Sequence, residues 1–375
     1  MSAERTIPVS IRGVWVHVPA FDIDDHTIVV TGRWLKIAFI DGEDLGKELR
    51  NPEACLQAMR SARSSRPRID IFTFSQEIPV RGPRFNYPTE WDSIAVVGSS
   101  SFKAWWEHVP QETRKNVRRS QKRGVEIVVK PLDDDLVHQI CGVNNASAVR
   151  QNKEFVHYGK TFDQVKYDQS TYLDRSDFLC AYSGDELIGF LKIVYNGAIA
   201  SIVQLLTKHS HSDSRPANAL LSKAIELCET KGALYLTYGK YNYGNKTASS
   251  LLDFKRRNGF EEFLMPRYYV PLTPWGAVCM RLRAHHGLIG MLPKPLISVS
   301  LRVRSGLFGW KRSISRCSSV AERPNSNRQA ERAIPPAGST FVPTSGDLAL
   351  AGQKRSGSVS QPEEALREPA AKRFQ

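Results

Sequence analysis

The chain has 375 residues, of which 41% are hydrophobic and 24% are charged. This balance is typical of a globular protein with a substantial core, and it excludes a chain that is disordered throughout. The net charge of +14 favours an anionic partner such as a nucleotide, a nucleic acid or an anionic membrane surface. A merely soluble basic surface is the alternative.

Cysteine usage and the absence of long apolar runs indicate the compartment. The six cysteines lie far apart and form no CxxC pair, so we predict neither a zinc site nor a redox motif. Residues 1–13 lack the apolar stretch of a signal peptide, and no run of 18 apolar residues occurs. We therefore expect a cytoplasmic protein, with peripheral association at the inner face of the cell membrane left open.

The first hundred residues alternate between apolar and polar positions as strands do. Strands are predicted at 11–18, within 27–40 and at 68–75. Residues 43–63 read as a helix with Pro52 at a bend or at its start, and residues 81–92 read as a loop. We expect residues 1–100 to form an N-terminal lobe.

Helix signals dominate the next fifty residues. Ser101 can cap one helix, and Pro110 and Gly124 suit the start and the end of the next. A strand is predicted at 125–129 and a helix at 134–150.

The block that follows combines antiparallel and parallel signals. A hairpin is predicted first, and then strands alternate with helices: 177–183, 186–195, 198–207, helix 217–231, strand 233–238, helix 247–257 and strand 260–270. This order predicts a mixed sheet with helices on its faces, an α/β or α+β architecture, with the main domain at 101–272.

Two C-terminal segments differ in composition. Residues 273–312 are both basic and apolar; we favour helices docked on the core over an interfacial membrane segment. Residues 313–375 are rich in Ser and Pro and are predicted to be disordered. The stretch SSVAERPNSNRQ resembles the peptide obtained when a transfer-RNA gene is translated, so the tail is interpreted as a read-through extension or a functional tail.

The connection between strand 198–207 and helix 217–231 is a candidate anion site. Free N–H groups at a helix start attract anions. Arg215 adds positive charge there, Pro216 sets the chain's entry into the helix, the helix begins at about Ala217, and Asn218 can hydrogen-bond. A ligand carrying a pyrophosphate would suit this segment; an ordinary capped connection is the alternative.

A basic helix is the second candidate. Six basic residues crowd ten positions with no acid among them: Arg114, Lys115, Arg118, Arg119, Lys122 and Arg123. Like charges at i and i+4 destabilise a helix unless an anion offsets them. The pattern indicates bound phosphate or nucleic acid, or else a solvated basic face.

Tyrosines and lysines cluster beyond the predicted strand 233–238. Open α/β sheets place ligands at the carboxyl ends of strands. A tyrosine can act as a general acid there, and a lysine can stabilise an oxyanion or bind phosphate. The members of the cluster are Tyr238, Tyr241 and Tyr243 with Lys240, Lys246 and Lys255. A packed aromatic loop is the alternative.

Four segments between about 110 and 271 together resemble the divergent GNAT acyltransferases, including the Fem-type peptidyltransferases. They are TRKNVRRSQKRGVEIVV, FLCAYSGDELIGFLKIVY, RPANALLSKAIELCETKGALYLTYG and SLLDFKRRNGFEE. The resemblance implies a GNAT-type mixed sheet, with a second GNAT-like lobe allowed in residues 1–100. It also implies acyl transfer to an amine, with a cell-envelope precursor, a polysaccharide or a small amine as acceptor.

The resemblance also assigns roles to residues. It places Lys255 with Tyr238 or Tyr241 near the reacting centre and residues 215–218 on the donor, and we assign Arg114, Arg118, Arg119 and Lys122 to substrate binding. Residues 211–218 lack the glycines of the family's CoA-binding loop. The donor is therefore open between acyl-CoA, an aminoacyl-tRNA and another carrier.

Two other classes of function remain as alternatives. One is a nucleic-acid-binding protein that uses the helix at 114–123, and the other is a catalytically inactive GNAT-like scaffold at the membrane. No metal is expected, because His209 with His211 and His285 with His286 lack partners at metal-ligand spacing in the sequence and are interpreted as loop or surface histidines.

Overall fold

The computed structural model describes residues 5–11, 14–45, 48–61, 67–150, 153–242, 250–286 and 340–342. The strands are β1 (Arg5–Ile11), β2 (Val14–Ile23), β3 (His26–Thr31), β4 (Ile37–Ile40), β5 (Ile71–Ser75), β6 (Thr89–Gly98), β7 (Val125–Lys130), β8 (Val149–Arg150), β9 (Lys153–Glu154), β10 (Ser176–Ser183), β11 (Glu186–Asn196), β12 (Ile199–Thr207), β13 (Tyr235–Lys240), β14 (Glu261–Pro271) and β15 (Thr340–Val342). The helices are α1 (Pro52–Ser61), α2 (Phe102–His108), α3 (Gln111–Lys122), α4 (Asp134–Asn145), α5 (Phe162–Gln169), α6 (Pro216–Thr230), α7 (Ser250–Arg257) and α8 (Pro274–Arg281).

One large mixed sheet organises the described chain. Its order is β15-β1-β2-β3-β4-β5-β14-β6-β13-β12-β11-β10-β7, and β8 and β9 form a separate hairpin. The pairs β4–β5 and β12–β13 are parallel, whereas β10, β11 and β12 are joined as antiparallel neighbours. The mixed α/β fold that the sequence predicts is confirmed.

Alternation along β10 divides its side chains between two layers of helices. Phe178 and Cys180 are buried against α4 and α5, in a cluster that includes Leu136 and Ile140. The intervening Leu179 belongs to the cluster formed with α6 on the opposite face. Since successive strand residues point to opposite faces, a stretch buried on both sides must be continuously apolar, as Phe178–Ala181 is.

Most element boundaries follow the local signals. Ser101 caps α2 through a bond from the Ala104 N–H, and Gly124 follows α3 with φ of +71°. Pro52 begins α1, so the predicted helix 43–63 is shorter and is preceded by a 3-10 turn at Glu43–Leu45. The predicted loop 81–92 is also too long, because β6 begins at Thr89.

The C-terminal predictions fall partly outside the described residues. Within the segment 273–312, α8 and a 3-10 turn at Ala284–His286 pack on the core through Cys279 and Ala284. Residues 287–312 lie outside the described part of the chain, as does the tail apart from β15. No helix among the described residues is long and apolar enough to cross a membrane.

Candidate active site

The parallel strands β12 and β13 pair over only three residues and then separate. Their ladder runs from Ile199 opposite Tyr235 to Ser201 opposite Thr237, although β12 continues to Thr207. A register shift against β11 makes Val203 an extra residue in β12 and bends that strand. Beyond this ladder the two strands no longer pair with each other, and the gap between their ends, hereafter the cleft, is where a ligand can reach unpaired main-chain groups.

Two buried hydroxyl groups mark the point where the strands part. Thr237 Oγ1 donates to Ser201 Oγ at 2.9 Å, and both side chains are buried. No local pattern in the sequence indicates this pair, since the two residues meet only through the parallel ladder.

Lys255 lies beneath the end of β13. Its side chain is fully buried, and Nζ donates to the carbonyl oxygens of Tyr238 at 2.5 Å and Lys240 at 2.7 Å. Nζ also lies 4.5 Å from the ring centroid of Tyr238. Burial lowers the pKa of Lys255 to about 7. The amine therefore holds the main chain at the mouth of the cleft and does not point into bulk solvent.

Tyr238 and Tyr241 flank the same segment. Tyr238 is half-buried at the end of β13, and the Tyr241 N–H donates to the Ser93 carbonyl at 2.8 Å, which fixes the chain just beyond the strand. Burial raises the pKa of the Tyr241 hydroxyl, so it stays protonated at neutral pH. The structure thus groups both tyrosines with Lys255; Tyr243 and Lys246 lie outside the described residues.

The start of α6 offers fewer main-chain donors than the sequence suggests. Arg215 precedes the helix in a left-handed conformation with φ of +54°, and Pro216 has no N–H. The N–H groups of Asn218 and Ala219 donate to the Arg215 carbonyl. Among the described residues, only Ala217 keeps a first-turn N–H without a backbone acceptor, so a pyrophosphate would find one main-chain donor here.

The Asn218 side chain is directed into the protein. Its Nδ2 donates to Asn258 Oδ1 at 3.0 Å, and Asn258 Nδ2 donates in turn to the Phe254 carbonyl at 2.7 Å. This buried pair connects the start of α6 to the end of α7. The exposed Arg215 is then the residue of this segment best placed to meet a ligand.

The basic helix α3 lies beside α6. Arg119 and Arg123 both form ion pairs with Asp213, at 3.1 and 3.2 Å, and Asp213 belongs to the 3-10 turn that leads into α6. The two segments that the sequence analysis treated separately, the helix 114–123 and the connection 204–221, therefore form one surface. Sequence reasoning missed this because Asp213 is far away in the chain.

A shallow groove on this surface is lined by basic side chains only. Its lining residues, hereafter the basic groove, are Lys115, Arg118, Arg119, Lys122 and Arg123. Lys115 and Lys122 are exposed, and neither forms an ion pair within the described chain. Arg114 is not part of the groove, since it donates to the carbonyls of Trp106 and Glu107 and so caps α2. The groove suits a ligand with several phosphates.

A second buried lysine was missed. Lys192 in β11 donates from Nζ to the carbonyls of Gln169 and Thr171, both at 2.7 Å, and to Thr171 Oγ1 at 2.9 Å. Burial lowers its pKa to about 7, against the opposing effect of Asp168. Lys192 is opposite Gln204 in the ladder, beside the bulge of β12, while its amine fixes the chain at Gln169 and Thr171. A lysine in the middle of the apolar run ELIGFLKIVY was the available signal.

The histidines at 285 and 286 are not surface residues, which corrects the sequence interpretation. The His285 side chain is 3% exposed, and both rings contact Glu90. Glu90 lies 195 residues from His285 in the chain, so spacing along the sequence could not reveal the contact.

Comparison with known proteins returns matches among solved structures alone. No family model and no curated protein matches the chain. The structure of FemX matches with 10% identity and a TM-score of 0.47, covering 70% of this chain and 88% of FemX. FemX is a solved structure of the Fem-type class that the sequence resemblance names.

Two further matches have the same character. The C-terminal domain of a lysylphosphatidylglycerol synthetase from Agrobacterium fabrum, itself a provisional assignment, has 14% identity and a TM-score of 0.46, covering 71% of this chain and 87% of that domain. A tandem GNAT protein from the clavulanic acid biosynthesis pathway has 12% identity and a TM-score of 0.35, covering 69% and 80%. At these values the matches carry no argument about substrate or reaction.

Proposed function

We propose that the protein transfers an acyl group from a phosphate-bearing carrier to an amine acceptor. The observation that carries the proposal is the separation of β12 from β13 beyond Ser201 and Thr237. The basic groove of α3 flanks the helix that connects these two strands. An acyl carrier needs both features, one for the acyl carbonyl and one for the phosphates.

The reaction follows from the groups at the cleft. The acceptor amine forms a C–N bond with the donor carbonyl, and the C–O or C–S bond to the carrier breaks. Main-chain N–H groups of the separated strands stabilise the oxyanion. The Tyr238 or Tyr241 hydroxyl protonates the leaving oxygen or sulfur, and the amine releases its proton to solvent or to that tyrosine. Lys255 keeps the carbonyls of Tyr238 and Lys240 turned inward.

An aminoacyl-tRNA is the donor that the surface favours. Among the described residues, the first turn of α6 has a single N–H without a backbone acceptor, and one N–H is too few to bind the pyrophosphate of acyl-CoA well. The basic side chains instead extend along an exposed helix, as phosphate contacts to a polynucleotide require. Acyl-CoA remains the alternative co-substrate.

Donor binding tests the choice. Lys115→Glu with Lys122→Glu should weaken binding of aminoacyl-tRNA by more than tenfold and reduce the salt dependence of binding by about two phosphate contacts. Arg33→Glu with Lys103→Glu is the matched control, because it reverses the charge of two exposed basic residues that lie outside the groove and form no ion pair within the described chain. Unchanged tRNA affinity with saturable acetyl-CoA binding would favour the alternative donor. Binding of tRNA without transfer to any amine would indicate a nucleic-acid-binding protein or an inactive scaffold.

A surface beside α8 supports the second part of the proposal, that the protein works at the inner face of an anionic membrane on a cell-envelope acceptor. Trp275, Val278 and Leu282 follow helical spacing and are 40, 43 and 55% exposed. Trp34, 50% exposed, contacts Trp275 edge-to-face. Adjacent exposed apolar side chains of this kind are typical of a contact surface for a partner or a membrane.

The charge beside this apolar face supports an anionic membrane as its partner. Arg281 and Arg283 are exposed at the border of this apolar face, and tryptophan with arginine is the combination found at anionic interfaces. Trp275→Ser with Leu282→Ser should abolish sedimentation with phosphatidylglycerol vesicles. Leu234→Ser with Leu264→Ser removes equally exposed leucines elsewhere and should have no effect. Equal sedimentation of both double variants would contradict the assignment.

A further inference from the structure

Three metal-ligating side chains converge away from the cleft. His285 Nε2 and His286 Nε2 lie 3.1 and 2.9 Å from the same atom, Glu90 Oε1. The two histidines occupy the 3-10 turn after α8, and Glu90 lies at the start of β6. Glu90 is opposite Arg267 of β14, whereas β6 meets β13 through residues 94–98 at its other end.

The cluster is held in place by packing. The His285 and His286 side chains are 3 and 12% exposed, and their ring centroids are 4.0 Å apart. The ring of Tyr269 lies 4.9 Å from that of His285. Both Nδ1 atoms are buried without a hydrogen-bond partner in the described chain, so each imidazole directs its one polar contact at Glu90.

We propose that Glu90, His285 and His286 bind a transition-metal ion, with Zn²⁺ as the best fit. Two imidazole nitrogens and one carboxylate oxygen are ligands that Zn²⁺ accepts, whereas Mg²⁺ and Ca²⁺ prefer oxygen alone. The three ligand atoms already lie within 4.8 Å of one another. Tetrahedral ligands at about 2.0–2.2 Å from zinc are about 3.4 Å apart, so small displacements suffice.

Binding requires a defined proton arrangement. Each Nε2 must present its lone pair to the metal, so its ring proton resides on Nδ1. The bound ion would join the turn at Ala284–His286 to β6, next to β14. This inference is independent of the proposed acyl transfer, because none of its ligands belongs to the cleft.

Titration of the chelator-treated full chain with ZnCl₂ tests the site. Calorimetry should show one saturable equivalent, and Co²⁺ in place of zinc should give the visible absorption of a tetrahedral ion. Glu90→Gln and His286→Ala should each weaken binding at least tenfold. His211→Ala is the matched control, since His211 also lies near a carboxylate, with Nε2 3.6 Å from Glu186, but has no second histidine ligand there.

The negative results are equally defined. No saturable uptake by the wild-type chain, or uptake unaltered in both Glu90→Gln and His286→Ala, would show that the cluster is only a hydrogen-bonded contact. Circular dichroism in the presence of chelator checks the folding of each variant. If His286→Ala does not fold, the nearly isosteric Glu90→Gln and the wild-type Co²⁺ spectrum decide the question.

Discussion

Lys255 shows how one buried amine links stability to the geometry of the cleft. Replacing it with methionine keeps most of the volume but removes the two hydrogen bonds from Nζ to the carbonyls of Tyr238 and Lys240. A typical hydrogen bond contributes about 0.5–1.5 kcal/mol, so the two together contribute about 1–3 kcal/mol. We expect Lys255→Met to lower the free energy of unfolding by that order and turnover by at least tenfold, measured by urea denaturation and a transfer assay. Wild-type turnover in a folded Lys255→Met variant would exclude a role in the cleft.

The pH dependence of stability gives a second test of Lys255. Its pKa is about 7 in the folded chain and 10.5 in the reference state, so between these values the unfolded chain binds more protons. The contribution of Lys255 to the free energy of unfolding is therefore complete above pH 10.5 and is lost as the pH falls to about 7. Lys255→Met should show a smaller rise in stability from pH 7.5 to 9.5 than wild type, and Lys223→Met, at a half-exposed site, should not. Parallel pH profiles would contradict the assignment.

At the scale of elements, substitutions of Arg215 at the start of α6 can distinguish the effect of its main-chain conformation on stability from the effect of its side chain on donor binding. Arg215 has φ of +54°, a region that costs a non-glycine residue about 1–2 kcal/mol. Arg215→Gly should keep the melting temperature within a few degrees of wild type, whereas the β-branched Arg215→Val should lower it clearly. If the guanidinium contacts phosphate, both variants should lose donor affinity equally. Full donor affinity in Arg215→Gly would show that the Arg215 side chain does not bind the donor and that this residue acts only through its main-chain conformation.

Short-range signals predicted most elements, and long-range contacts decided the site. The hairpin of β10 and β11 and the helix α6 could be predicted from the period of their apolar residues. The end of α3 could be predicted from Gly124. The strand β6 was not predicted from the sequence. Prolines precede it, its first half contains the charged residues Glu90 and Asp92, and its apolar residues 94–97 form a short run without alternation. The ion pairs of Asp213 depend on how α3 and α6 pack, which no local pattern encodes.

At the scale of the whole molecule, Arg267 secures β14, the strand that lies between β5 and β6 and so joins the strands of residues 1–75 to the rest of the sheet. Its guanidinium donates to Asp92 at 2.5 Å and to Glu43 at 2.8 Å, and all three side chains are largely buried. Removing the cation would leave two buried carboxylates uncompensated, a loss of about 3–5 kcal/mol. Arg267→Met should show this loss in urea denaturation. Arg256→Met, which breaks an exposed ion pair with Asp253, should change stability by less than about 1 kcal/mol. Similar values for both variants would show that Arg267 has no special role.

The position of β14 has a consequence for the order in which the protein can fold. β14 is paired on one side with β5 and on the other with β6, yet it is made almost 200 residues after β5. During synthesis both neighbours therefore present an unpaired edge until Pro271 has left the ribosome. A nascent chain halted before that point holds two incomplete sheets, each with an open strand edge that can pair with another copy of itself.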